Sequence, residues 1–115
     1  MTVNRHPVLP DSPSLRDVQD YVRQIKDLRG FTNTDPVPDC VLLGEEVGEL
    51  FKAVRKARKG SMVDENSTAG DSVAEEIADV LIVLSGIANI YGIDMEQALR
   101  AKEEKNKTRV WKIVS

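Results

Sequence analysis

Two acidic segments determine how this chain folds: residues 43–50, with the sequence LGEEVGEL, and residues 75–81, with the sequence EEIADVL. Each segment holds two carboxylates three residues apart, and residues at this spacing lie side by side on a helix. These pairs are Glu46/Glu49 and Glu76/Asp79. At about 100° per residue, Glu46 lies inside an apolar stripe with Glu49 at its edge. Glu76 lies near the centre of another apolar face, with Asp79 at its margin.

An ionised carboxylate on an apolar helix face requires a compensating charge. Burial of an isolated carboxylate costs several kcal/mol, so the group is neutralised, paired or bound to a cation. Four carboxylates that converge between two helices would suit Mg²⁺ or Mn²⁺, which prefer oxygen ligands. The alternative from the residues alone is that these are solvated helix glutamates paired with nearby Lys and Arg.

The composition restricts the classes of protein to which the chain can belong. A chain of 115 residues has room for one domain with a modest core, which oligomerisation would enlarge. Aromatic residues make up only 4%, so the core is aliphatic. The net charge of −3 argues against a nucleic-acid polymer or an anionic membrane as partner. The single cysteine, Cys40, excludes an internal disulfide, and the polar N-terminal residues do not resemble a signal peptide. We therefore expect a cytoplasmic protein.

Apolar spacing and capping residues predict an all-α fold of four helices, over residues 14–29, 39–59, 72–91 and 95–107. The single domain would comprise a flexible arm (1–12), a helical core (13–107) and a tail (108–115). We expect a four-helix bundle in which helices 2 and 3 are antiparallel. Because both acidic segments lie near the start of their helices, simple hairpin geometry separates them. The loop of about a dozen residues must therefore bring them into register.

A third motif follows downstream, in the segment Lys102-Glu103-Glu104-Lys105-Asn106-Lys107-Thr108-Arg109, with Trp111 close behind. Together with Glu-x-x-Glu and Glu-x-x-Asp in that order, it resembles the MazG-type branch of the all-α nucleoside triphosphate pyrophosphohydrolases. The resemblance extends over roughly residues 43–111.

The resemblance implies Mg²⁺-dependent hydrolysis of (deoxy)nucleoside triphosphates to the monophosphate and pyrophosphate, for nucleotide-pool cleaning or control; Mn²⁺ is a possible substitute. By position, the metal ligands would be Glu46, Glu49, Glu76 and Asp79. Lys102 and Asn106 would hold phosphate oxygens, together with Arg109, and Glu45 would orient or deprotonate the attacking water. Relatives form homodimers or homotetramers with sites between subunits, so part of the site would come from another chain.

Several alternatives remain open at this stage. One is a dedicated dUTP or dCTP pyrophosphatase of the same superfamily. Phosphoribosyl-ATP pyrophosphohydrolase is a poorer match because it usually ends in an arginine-rich tail. A non-catalytic helical oligomer that binds a structural or regulatory metal is a rival of another class. A di-iron bundle would require Glu-x-x-His, and the only histidine, His6, lies in the arm. The nucleobase is undetermined, with Phe31, Tyr91 and Trp111 as candidate contacts.

Overall fold

The computed structural model describes residues 6–31, 34–66 and 72–115. Its helices are α1 (Leu15–Leu28), α2 (Pro36–Ala57), α3 (Val73–Ile90) and α4 (Met95–Asn106). The residues in these three ranges form no strand. The expectation of an all-α chain with four helices is confirmed.

Local capping residues fix all four helix starts, and three of these starts lie within one residue of the predicted positions. Ser14 and Asp17 form a capping box, in which the Asp17 amide donates to Ser14 Oγ (3.1 Å) and the Ser14 amide donates to Asp17 Oδ2 (2.9 Å). Ser72 accepts from the Glu75 amide before α3, and Asp94 accepts from the Gln97 amide before α4. Each cap satisfies amides that the first helical turn leaves without a helical acceptor.

The start of α2 corrects the sequence prediction, which placed it near residue 39. Asp35 is the N-cap, and its side chain accepts from the Val37 amide at 3.0 Å. Pro36 and Pro38 both fall in the first turn, where a missing N–H disrupts no helical hydrogen bond. The helix therefore gains three residues at this end. It ends at Ala57 rather than Lys59 because Arg58 already adopts an extended conformation (ψ 130°).

The helices are arranged openly rather than as a closed bundle. Helices α2 and α3 form an antiparallel hairpin, and α1 packs along α3. Gly92, at φ +64°, lets the chain turn after α3, and α4 leaves at 96° to pack against α1. The radius of gyration is 18.1 Å, whereas a compact domain of this length has about 13 Å. This shape leaves apolar faces of the hairpin exposed.

A buried glutamine fastens α1 to the corner between α3 and α4. Gln19 is 5% exposed. Its Nε2 donates to Asn89 Oδ1 (3.1 Å) and to the Ile93 carbonyl (2.7 Å), and its Oε1 accepts from the Met95 amide (2.9 Å). Since a buried polar group is costly when unsatisfied, this network orients the two helices specifically.

No single helix of the described residues is long and apolar enough to cross a membrane. Helices α3 and α4 meet the length and composition criteria only as a pair bent by 96°.

Candidate metal centre

Three carboxylates converge between α2 and α3. Glu46, Glu76 and Asp79 each place one side-chain oxygen so that all three atoms lie within 4.8 Å of one another. Glu76 is only 2% exposed, and Glu46 and Asp79 are half-buried. The positions inferred from helical periodicity for these three residues agree with the structure.

The register of the α2–α3 hairpin brings the carboxylates together within one chain. Glu46 lies in the middle of the 22-residue α2, because this helix starts earlier than the sequence predicted. Glu76 and Asp79 lie in the first two turns of α3. Near the other end of the hairpin, a Cβ built on Gly86 of α3 would lie 3.9 Å from Asp39 Oδ2 of α2. The two helices are therefore paired in one antiparallel register that places Glu46 opposite Glu76 and Asp79. The separation expected from simple hairpin geometry does not occur for these three residues.

Two other predicted residues of the acidic segments lie outside this group. Glu45 and Glu49 are both exposed. Neither belongs to the set of oxygens within 4.8 Å of one another. Glu49 is three residues after Glu46, so its direction from the helix axis differs by about 60°. That rotation is enough to direct its side chain towards solvent.

The predicted phosphate-binding residues lie on or just after α4, which packs against α1 rather than forming part of the α2–α3 hairpin. Lys102 is exposed. Asn106 is half-buried, and its Nδ2 donates to Glu103 Oε1 at 3.2 Å. Arg109 follows the helix, with its guanidinium 5.8 Å from the Trp111 ring centroid in a cation–π arrangement. The structure does not place these side chains in the three-carboxylate group.

The donor chemistry of the group suits a hard divalent cation. All three side chains offer oxygen, the ligand atom preferred by Mg²⁺ and Mn²⁺. Three carboxylates in close proximity also repel one another, and a cation relieves this repulsion for Glu76, which is withdrawn from water. Glu46, Glu76 and Asp79 are therefore the residues that could hold such an ion.

A second feature was missed by sequence reasoning. A cavity of about 700 Å³, which we call the α1 cavity, lies between α1, the start of α2 and the second half of α3. Lys26 and Asp39 form an ion pair across it, with Lys26 Nζ 2.8 Å from Asp39 Oδ2. Phe31, one of the three aromatic candidates for base contacts, lines it. The one signal in the sequence was Gly86, because a glycine in the interior of a helix often marks a position where another group packs closely against the helix backbone.

Comparison with known proteins identifies the family of the chain. A model of the MazG nucleotide pyrophosphohydrolase domain matches residues 40–113, which include all three members of the group. The chain is also similar to the uncharacterized protein YvdC of Bacillus subtilis (strain 168). The identity is 30% over 96 residues, which cover 79% of this chain and 91% of that protein. The resemblance inferred from the three motifs is thereby confirmed, and the chain belongs to the MazG nucleotide pyrophosphohydrolase domain family.

Proposed function

We propose that this protein hydrolyses (deoxy)nucleoside triphosphates to the monophosphate and pyrophosphate with Mg²⁺, or Mn²⁺ in its place. The convergence of Glu46, Glu76 and Asp79 supports the proposal most directly. Glu76 is 2% exposed on a mostly apolar helix, a position that favours a role other than solubility. Membership of a nucleotide pyrophosphohydrolase family supplies the substrate class.

The negative charges of the carboxylates and of the substrate require a cation between them. A triphosphate carries about four negative charges, and three carboxylates would repel it without a cation between them. When bound, Mg²⁺ would neutralise phosphate oxygens and lower the pKa of a water molecule.

Glu46 and Asp79 are half-buried and thus remain accessible from solvent. Glu45 and Glu49, both exposed on α2, flank Glu46. We assign Glu49 to the ligand set through a rotamer change on binding, and Glu45 to orienting the attacking water or accepting its proton.

Phosphate contacts from α4 fit best in an assembly of more than one chain. Lys102, Asn106 and Arg109 provide two cations and an amide suited to phosphate oxygens. In a single chain, α4 packs against α1 and not within the α2–α3 hairpin that bears the carboxylates. We therefore assign these contacts to a neighbouring copy in a homodimer or homotetramer.

The exposed apolar surface of the hairpin supports this assembly. Phe51 and Val54 on α2 are 69% and 52% exposed, and Ile77 on α3 is 55% exposed. The complete hairpin face consists of Phe51, Val54, Ile77, Leu81 and Leu84. On α3 the three residues are spaced four and three apart, which is the spacing of one helical stripe. A second hairpin placed on this face would complete a four-helix bundle.

The test is pyrophosphate release from a panel of standard and modified nucleoside and deoxynucleoside triphosphates, with Mg²⁺, with Mn²⁺ and with EDTA. Wild type is compared with Glu76→Gln, which removes the most buried carboxylate. Glu75→Gln is the matched control, because Glu75 is the neighbouring and exposed glutamate on the same helix. We expect metal-dependent release that falls at least about a hundredfold in Glu76→Gln, a loss of roughly 2.7 kcal/mol in transition-state stabilisation, and persists in Glu75→Gln.

Two results would contradict the proposal. Full activity of a folded Glu76→Gln variant would show that the carboxylate group is not the catalytic metal centre. Metal binding without turnover on any triphosphate would favour the non-catalytic helical oligomer. If a single pyrimidine triphosphate dominated the panel, the protein would be a dedicated dUTP- or dCTP-type enzyme within the proposed class.

A further inference from the structure

The α1 cavity has the size and lining of a small-molecule site. Its volume of about 700 Å³ lies within the range of roughly 300–1,000 Å³ that is usual for ligand pockets. Val22 and Ile25 of α1 and Ile82 of α3 give it an apolar wall, and Tyr21 and Phe31 add two aromatic rings. A planar heteroaromatic ring is the kind of ligand that such a wall favours, because aromatic faces stack on one another.

The only ion pair that the described residues form across this cavity joins α1 to α2. Lys26 and Asp39 are each 25% exposed, so both charges are largely withdrawn from water but remain accessible to a ligand. Lysine has hydrogen-bond donors only, and an ionised aspartate has acceptors only. Side by side they match the polar edge of a nucleobase, where an acceptor and an N–H donor are neighbours. A phosphate group fits this position poorly, because Asp39 would repel it.

Gly86 leaves room for this ion pair beside the backbone of α3. A Cβ at position 86 would lie 3.3 Å from Lys26 Nζ and 3.7 Å from Lys26 Cδ. The 3.3 Å distance is shorter than ordinary van der Waals contact, so a side chain at position 86 would require the lysine amine to shift by a few tenths of an ångström. The glycine in the middle of α3 thus leaves space for a charged side chain from another helix.

The cavity ends about one helical turn from two of the carboxylates on α2 and α3. Leu42 lines it and precedes Glu46 by four residues on α2, and Val83 lines it and follows Asp79 by four residues on α3. Four residues correspond to about 6 Å along a helix axis. A ligand with a ring in the cavity and a charged chain directed along the hairpin would therefore place that chain at the carboxylates.

We infer that the α1 cavity receives the nucleobase of the substrate and that Lys26 and Asp39 determine which base is accepted. The inference rests on the proposed function, since the same site would hold the triphosphate at the carboxylates. Lys26 donates to a ring nitrogen or carbonyl oxygen of the base, and Asp39 accepts from its N–H or amino group. Loss of either residue leaves a polar group of the base without a partner, which changes the preference among bases.

The experiment separates recognition of the base from turnover. Binding of nucleosides, which carry no phosphate, is followed in EDTA by NMR chemical shifts of the Gly86 and Gly30 amides. The variants are Lys26→Met and Asp39→Asn. Arg16→Met is the matched control, because the Arg16–Asp94 ion pair has the same 2.8 Å separation and also joins α1 to another part of the chain, away from the cavity. The same proteins are then compared by kcat/KM over the triphosphate panel, with melting temperatures recorded for each.

We expect at least one nucleoside to shift the Gly86 amide in wild type and in Arg16→Met. Lys26→Met and Asp39→Asn should weaken that binding about tenfold or more, the effect of losing one hydrogen bond to a charged group. They should also change the ratio of kcat/KM between bases, whereas Arg16→Met should leave this ratio unchanged.

The outcomes distinguish the two proposals. Nucleoside binding that depends on Lys26 and Asp39 would uphold the inference even if no triphosphate were hydrolysed. Failure of every nucleoside to bind wild type would overturn it, whatever the turnover. A uniform loss of kcat/KM over all bases in Lys26→Met and Asp39→Asn would also overturn it, because the ion pair would then act only as a structural link between α1 and α2.

Discussion

Glu46 and Glu49 lie one helical turn apart on α2, yet only Glu46 belongs to the three-carboxylate group. Glu46 is half-buried against α3, and Glu49 is exposed. A preplaced ligand contributes its full interaction energy, whereas a ligand that must first change rotamer loses part of that energy to side-chain ordering. The two residues should therefore contribute unequally to metal binding.

We predict that Glu46→Gln weakens Mn²⁺ binding by at least about tenfold, since loss of even an outer-shell partner has this effect in metal sites. Glu49→Gln should weaken it by a smaller factor. Isothermal titration calorimetry with Mn²⁺ on each variant measures both values. Glu45→Gln is the control, as a neighbouring exposed glutamate on the same helix. Equal losses for the variants at positions 46 and 49 would contradict the ranking.

Individual residues differ in how far the sequence could predict them. The inward positions of Glu46 and Glu76 followed from helical periodicity, because each lies among apolar neighbours on its own helix. The same procedure placed Glu49 at the edge of the stripe, where an orientation into or away from the group depends on the rotamer. The Lys26–Asp39 ion pair could not be predicted from the sequence. It joins two helices, and the periodicity of one helix contains no information about another.

At the scale of an element, Asp94 is the cap that begins α4 after its sharp turn. The Gln97 amide donates to Asp94 Oδ1 at 2.9 Å, and Arg16 contacts Asp94 Oδ2 at 2.8 Å. The backbone hydrogen bond from Gln97 and, to a smaller extent, the Arg16 guanidinium hold the pKa of the Asp94 carboxyl below its usual value of 3.8. The charged form is thus favoured in the folded protein.

A lowered folded-state pKa gives the sign of the pH effect. The contribution of Asp94 to stability is fully present above its unfolded pKa of 3.8 and is lost as the pH falls through the folded value. We predict that Asp94→Asn, which retains a capping side chain, lowers the melting temperature at pH 6 more than at pH 3. Thermal unfolding followed by circular dichroism at both pH values checks this, with Asp27→Asn on the exposed side of α1 as control. The same loss at both pH values would contradict it.

Helix boundaries were predictable where a local cap decides them. Ser14, Ser72 and Asp94 each bond an amide within three residues, so the sequence near each cap contains the information. The start of α2 was misplaced because two prolines suggested a loop. Asp35 ahead of Pro36 is itself a strong start signal, since proline is favoured at the first helical position. The expectation that the two acidic segments would lie apart had a different origin, namely the geometry of a simple hairpin.

The whole molecule has an open shape for a chain of this length. Its dimensions are 63 × 49 × 31 Å. Buried hydrophobic residues are few among the residues described, namely Val22, Ile25, Ala53 and Ala88. The hairpin face is exposed at the same time. Burial of each large apolar side chain contributes about 1.5–3 kcal/mol. Association through this face would therefore supply much of the missing core.

We predict that the wild-type protein is a dimer or tetramer in solution and that Phe51→Glu combined with Leu81→Glu reduces its mass to that of a monomer. A buried unpaired charge on each helix of the face costs several kcal/mol. Light scattering coupled to size-exclusion chromatography gives the masses. Leu28→Glu is the control, because Leu28 is 40% exposed on α1, away from the hairpin face. A wild type that is monomeric at all concentrations would contradict the prediction, as would an unchanged mass in the double variant.

The position of the α1 cavity within the chain has a consequence for how such proteins diversify. The family match begins at residue 40, one residue after Asp39, and it contains the three carboxylates. Lys26, Asp39 and the aromatic wall precede it. Under the proposed function, the ion pair and the aromatic rings of the cavity would thus be encoded ahead of the carboxylates, while part of its apolar wall lies within the matched segment. Substitutions at positions 26 and 39 could then redirect the base preference while the carboxylates are inherited unchanged.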